Sequence, residues 1–216
     1  MEVIPINTIL FQGDSITDAF RQHEYGKPID CPLLGCGYVF LLAATLGQQQ
    51  GTCFLNRGVS GNRVDDLLDR WTRDCLELQP TVLSILLGVN DANPGRQPQQ
   101  TPGQFEAGYR ELLRLARAEI PSLRLILLEP FGQVLPVGER PFAVMSAEWR
   151  ANLSLRQRIV RELAAEFDAT FVALQSIFDE AAKEAPMEYW TADGIHPSAA
   201  GHQRIAEAWK KAYETP

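Results

Sequence analysis

Two short stretches near opposite ends of the chain carry the residue types of acyl transfer. In Asp193-Gly194-Ile195-His196-Pro197 a carboxylate lies three residues ahead of an imidazole, on a turn stiffened by Gly194 and Pro197. That spacing lets Asp193 accept the Nδ1 hydrogen of His196 while Nε2 faces outward as a base. In Gly13-Asp14-Ser15-Ile16-Thr17 a serine follows an apolar run. Ser and Asp in such a place also serve as turn or helix-cap residues, so the motif alone decides nothing. Within hydrogen-bond reach of His196, however, Ser15 becomes a nucleophile for an ester carbonyl. His196 would take its proton during attack and return it to the leaving alcohol.

An oxyanion formed in that attack needs donors. Gly58-Val59-Ser60-Gly61-Asn62 and Gly88-Val89-Asn90-Asp91 each follow an apolar run. The N–H of Gly61 and the side-chain amide of Asn90 could therefore join the Ser15 N–H around a developing negative charge. The bland alternative for each stretch is a strand-to-helix turn in which Asn62 or Asn90 caps the next helix. The chain has three histidines, and only His196 has an acid so placed. His23, in a polar stretch, is expected to be solvated, and His202, in the last helix, to have a surface or packing role. Asp14, Asp18, Arg63 and Asp91 sit in or beside these motifs and are expected to hold loops. A rival chemistry would use Asp14, Asn90, Asp193, His196 and His202 as metal ligands in a phosphoesterase, but a two-metal site ordinarily uses more histidines. No metal and no cofactor is expected.

Residues so far apart in sequence can meet only if the fold gathers its loops at one edge. Thr8–Gln12, Cys53–Asn56, Val82–Leu87, Leu123–Leu128 and Thr170–Ala173 are short apolar runs without period-2 alternation, as strands covered on both faces read. Val64, Leu67, Leu68, Trp71, Cys75 and Leu78 form a helical stripe, and so do Trp149, Leu153, Val160, Leu163 and Phe167. Further helices are expected around Leu41, Leu112 and Ile205. The alternation predicts an α/β fold, a three-layer α/β/α sandwich with a parallel sheet of about five strands, in one domain. Two long connections, Asp91–Gly103 and Pro130–Ser146, follow predicted strands and should emerge at the carboxyl edge, where such folds place ligands. Tyr25, Phe131, Phe142, Tyr189 and Trp190 should ring that edge. Flat rings there can line a sugar site or pin a loop to the core. Trp190, close to Asp193, is the first candidate for substrate contact, followed by Tyr189 and Phe131.

Bulk properties exclude some partners. The 216 residues include 20 basic and 27 acidic side chains, a net charge of -7, with no Lys/Arg cluster. Neither nucleic acid nor an anionic membrane is an expected partner. The N-terminal stretch Met1-Glu2-Val3-Ile4-Pro5 lacks a basic start and an apolar core, and no segment approaches a membrane span. The four cysteines lack CxxC spacing, which suits free thiols in a cytoplasmic protein.

Taken together, the four blocks make the sequence resemble the SGNH hydrolases, the GDSL-like esterases named for a Ser, Gly, Asn and His in separated blocks. The resemblance runs from about Leu10 to the terminal helix and implies a flavodoxin-like order of elements. It matches Ser15 to the family nucleophile, Gly61 and Asn90 to its oxyanion donors, and Asp193 with His196 to its acid and base. Leu10–Asp18, Asn56–Asn62, Gly88–Asp91 and His196–His202 are further similar to motifs of intracellular bacterial acetylxylan-esterase-like proteins. This implies a small ester substrate, with acetyl groups on short sugars as the expected target and a thioesterase or lysophospholipase as the alternative. A homo-oligomer is compatible with the resemblance, although no heptad or long apolar stripe marks an interface. The stretches Asp91–Gln100 and Glu188–Ala192 depart from those relatives, so the substrate-facing loops are this chain's own.

Overall fold

The computed structural model describes residues 7–23, 31–47, 51–135 and 145–215. Its centre is one sheet of five parallel strands: β1 (Asn7–Gly13), β2 (Thr52–Asn56), β3 (Val82–Leu86), β4 (Arg124–Leu128) and β5 (Thr170–Val172), in the order β2-β1-β3-β4-β5. All five predicted strands are present, with ends within about two residues. Helices α1 (Ser15–Asp18), α2 (Cys31–Leu34), α3 (Tyr38–Leu46), α4 (Val64–Asp74), α5 (Pro102–Glu119), α6 (Ala147–Glu166), α7 (Leu174–Glu184), α8 (Met187–Trp190) and α9 (Ala199–Glu214) surround the sheet.

The unbroken apolar runs are explained by two cores, one on each face. Ile9 and Phe11 of β1, Leu86 of β3, and Ile126 and Leu128 of β4 pack with α3, α7 and α9. Their neighbours Leu10, Leu83, Ile85, Leu125 and Leu127 pack with α4 and α5. Successive residues point to opposite faces, so a strand apolar at every position feeds both. Helix α6 reaches both cores, with Trp149 and Leu153 in one and Val160 and Leu163 in the other. Predicted stripe positions Cys75 and Phe167 lie just beyond α4 and α6 as their C-caps. The unanticipated α7 carries its own signal in Leu174, Phe178 and Ala181, all buried.

Local chemistry starts the long helices. Thr101 Oγ1 accepts from Gln104 N (3.2 Å) with Pro102 following, Ser146 Oγ from Trp149 N (3.1 Å), and Ser198 Oγ from Gly201 N (3.2 Å). From β1 the chain moves to β2 on one side and then to β3 on the other. This leaves a crevice beyond the carboxyl ends of β1 and β3, the place where open parallel sheets hold ligands. Ser15 lies just beyond β1 and Asn90 just beyond β3. Among the described residues no helix is long and apolar enough to cross a membrane.

Candidate active site

Ser15 opens α1, and Asp14 N-caps it by accepting Ile16 N–H at 3.0 Å. The hydroxyl lies 2.8 Å from His196 Nε2, and His196 Nδ1 lies 2.6 Å from Asp193 Oδ2. The other carboxylate oxygen, Asp193 Oδ1, accepts Ile195 N–H (2.9 Å) and His196 N–H (2.7 Å). Acid and base thus share one closed turn. An antiparallel bridge between Thr191 and Pro197 seals it, with Ala192 N donating to His196 O at 2.9 Å. Gly194 has φ +87°, and a Cβ there would stand 2.1 Å from Gln133 O, so the turn needs a residue without one.

This arrangement sets the protonation states. Burial works against the ionised form of Asp193, but the hydrogen bonds from His196 and the turn outweigh it and hold its pKa below the usual value. The hydrogen bond to Asp193 raises the His196 pKa above 6.5, with burial opposing. His196 Nδ1–H then donates to Asp193, and Nε2 is free to accept from Ser15. Such an array can deprotonate the serine hydroxyl and later protonate a leaving alcohol.

The loops that carry Gly61 and Asn90 are built differently. Gly61 adopts φ +81° in the loop after β2, and Asn90 Nδ2 donates to Asn62 O at 3.2 Å. Asp91 fastens the two loops, since its Oδ1 accepts the first N–H of α4, that of Val64, at 2.9 Å. Asn62 is not the N-cap of α4, a position held by Arg63, nor is Asn90 that of α5, which Thr101 holds. Burial pushes the Asp91 carboxyl up to about 7 and the Asp14 carboxyl up to about 6. Asp18, also buried, binds Ser60 N (2.9 Å) and His23 Nε2 (3.0 Å) through Oδ2. His23 is therefore paired as well as half-exposed.

The expected aromatic wall needs correction. Phe131 is fully buried, its ring stacked on Phe178 at 4.1 Å, and presents no face to a substrate. Trp190 is 6% exposed and pins α8 to α7 by donating its indole N–H to Ala181 O at 2.9 Å. Both rings serve the core because an apolar face gains more from burial there than from a wet cleft. Tyr189 remains 58% exposed, edge-on to Trp190. Tyr25, Phe142 and residues 136–144 of the second long connection lie outside the described residues. His202 is a packed residue: its Nδ1 accepts Tyr38 N–H at 3.2 Å, and burial lowers its pKa to about 4. That contact takes His202 out of the five-residue metal-ligand set. Among the described residues no cluster of three or more His, Cys, Asp or Glu side chains is suited to a metal. Cys36, Cys53 and Cys75 are free thiols.

One structural residue escaped the sequence reading. Asn56, buried at the end of β2, donates to Thr17 O (2.7 Å) and Leu34 O (2.9 Å) and accepts from Gly58 N (2.9 Å). It ties the Ser15 loop to the Gly61 loop, and its signals were a polar residue closing an apolar strand and its place at the head of the Asn56–Asn62 motif.

Comparison with known proteins agrees with the fold. The profile of the GDSL-like Lipase/Acylhydrolase family matches residues 11–204. An acetylxylan esterase of Geobacillus stearothermophilus is 30% identical over 210 residues, 93% of this chain and 91% of the relative. Its crystal structure superposes with a TM-score of 0.83 at 29% identity, covering 100% of this chain and 98% of that one. A GDSL-like lipase from Parabacteroides merdae gives a TM-score of 0.86 at 38% identity, over 95% and 94% of the two chains.

Proposed function

The chain belongs to the GDSL-like lipase/acylhydrolase family and is a carboxylic ester hydrolase; on that premise we propose that it removes acetyl groups from carbohydrates such as xylo-oligosaccharides. The observation that carries the mechanism is the 2.8 Å contact between Ser15 Oγ and His196 Nε2, backed by Asp193. Ser15 attacks the acetyl carbonyl, the proton passes to Nε2, and the N–H groups of Ser15 and Gly61 with the Asn90 amide receive the oxyanion. His196 then protonates the leaving sugar oxygen. Water, deprotonated by the same base, releases acetate from the acyl-enzyme. The acetylxylan esterase relative supports an acetyl ester of xylan as the substrate type.

An ester panel tests this reading: acetylated xylo-oligosaccharides, aryl acetates and octanoate esters of one alcohol, with Ser15→Ala as control. Acetyl esters are expected to be preferred, and turnover to vanish in the variant. Preference for octanoate would move the assignment to a long-chain acylhydrolase, and full turnover by Ser15→Ala would remove the nucleophile.

A further inference from the structure

The long loop after Asn90 delivers a cation to the oxyanion side. Arg96 is exposed, yet its guanidinium rests against Gly61: a Cβ built on Gly61 would lie 2.8 Å from Nη2 and 3.8 Å from Cζ and Nη1. Among the described residues the Arg96 side chain has no hydrogen bond or ion pair. The other arginines near this edge are engaged. Arg63 holds Asp65 and Pro98 O, Arg70 holds Asp74 and Asn62, Arg156 holds Asp91 O, and Arg21 holds Gly58 O.

The backbone that carries Arg96 is fixed on both sides. Before it, Gly95 N donates to Asn93 Oδ1 at 2.8 Å and Arg96 N to Asn93 O at 3.1 Å. After it, Arg63 Nη1 donates to Pro98 O at 2.8 Å and Gln100 Nε2 to Asp65 Oδ1 at 2.6 Å. Asp65, the carboxylate on the adjoining turn of α4, is taken up by that Gln100 amide and by Arg63 Nη2 at 3.3 Å. A guanidinium carried on a fixed backbone against Gly61, with no ion pair of its own among the described residues, is arranged for an incoming anion. Its planar fork matches a carboxylate through two parallel hydrogen bonds, whereas a neutral hydroxyl would leave the charge unbalanced.

We propose that Arg96 binds a carboxylate on the alcohol side of the ester, so that the preferred substrates are acetylated acidic sugars. This rests on the acetylesterase reading above: an acetyl group carries no carboxylate, which places the anionic group on the sugar. Arg96 then acts in substrate binding and appears in KM, and the Asp91–Gly103 loop is a specificity arm.

The test compares an O-acetylated methyl glucuronoside carrying a free carboxylate with its uncharged methyl ester. The wild-type enzyme is expected to favour the free acid about 10- to 100-fold in kcat/KM, mainly through KM, as charge-assisted hydrogen bonds allow. Added salt should narrow the gap. Arg96→Gln should lose the preference and Arg96→Glu reverse it, while Arg96→Lys keeps part. A direct binding arm titrates glucuronate and glucose into Ser15→Ala, with and without Arg96→Gln, followed by NMR. Arg96-dependent binding of glucuronate alone is expected. Equal kcat/KM for the two esters in the wild type would overturn the proposal, as would an equal loss in kcat on both for Arg96→Gln, which would give the guanidinium an oxyanion role. If neither sugar ester is hydrolysed while aryl acetate is, the carbohydrate reading fails, and the binding arm still decides Arg96.

Discussion

The Asp193–His196 turn and the loops of Gly61 and Asn90 are held by different means. Asp193 and His196 lie in one tight turn, closed by its own backbone bonds and the Thr191–Pro197 bridge. Gly61 and Asn90 stand on separate loops after β2 and β3, fastened by Asn90 to Asn62 and by Asp91 to Val64. An aspartate–histidine pair needs only one fixed contact between neighbours, so local sequence can supply it. An oxyanion hole needs donors converging from several directions, which one short segment cannot provide. The consequence is that damage should stay local on the first side and spread between loops on the second.

The largest effect expected from this contrast is on the turn. Asp193→Asn keeps the shape of the side chain but removes the charge that orients the His196 tautomer, and should lower kcat by about 10⁴-fold. The pH profile should change with it. The base must be unprotonated, so wild-type kcat/KM should rise with pH through a pKa above 6.5, the direction set by the Asp193 hydrogen bond. In Asp193→Asn that limb should move to lower pH, and a limb that stays in place would show that Asp193 does not govern His196.

On the oxyanion side, Asn90→Ala should cost about 10²–10³-fold in kcat, with KM for an aryl acetate changing much less. Because Asn90 also holds Asn62, the variant should increase hydrogen exchange around Gly61, whereas Asp193→Asn should leave exchange there as it was. Equal exchange in both variants would break the comparison.

The smallest effect concerns stability. Asp91 has a native pKa of about 7 against an ordinary 3.8, so between these values the folded state binds more protons than the unfolded one. Its contribution to stability is present below the unfolded value and is lost as pH rises towards 7. Asp91→Asn preserves an acceptor for Val64 N–H and removes the titration. Its stability relative to wild type should therefore improve by on the order of 2 kcal/mol between pH 4 and 7 in urea unfolding. A parallel decline in both proteins would locate the effect elsewhere, Asp14 being, among the described residues, another buried carboxyl whose pKa is raised, to about 6.

Much of the fold was legible because its rules are periodic. Apolar strands between helical stripes specify a covered parallel sheet, and the DxxH spacing places a carboxylate beside an imidazole wherever the turn sits. The aromatics were not legible: Trp190 and Phe131 look like wall residues until the packing of α7 buries them. Residue type measures the gain from burial and carries no information about which neighbour provides it. Asn56 heads a motif that the sequence showed, but its bonds to Thr17 O and Leu34 O reach across loops and could not be read from it.

By itself, then, the sequence determined the layered fold, the serine after the first strand, and the aspartate and histidine before the last helix, all of them written in spacing along the chain. Only the tertiary structure decided that Ser15 Oγ meets His196 Nε2, that Asp91 joins the two donor loops, and that Arg96 lies against Gly61. These are contacts between residues far apart in sequence, and their distances are set by how strands and helices pack rather than by how residues follow one another.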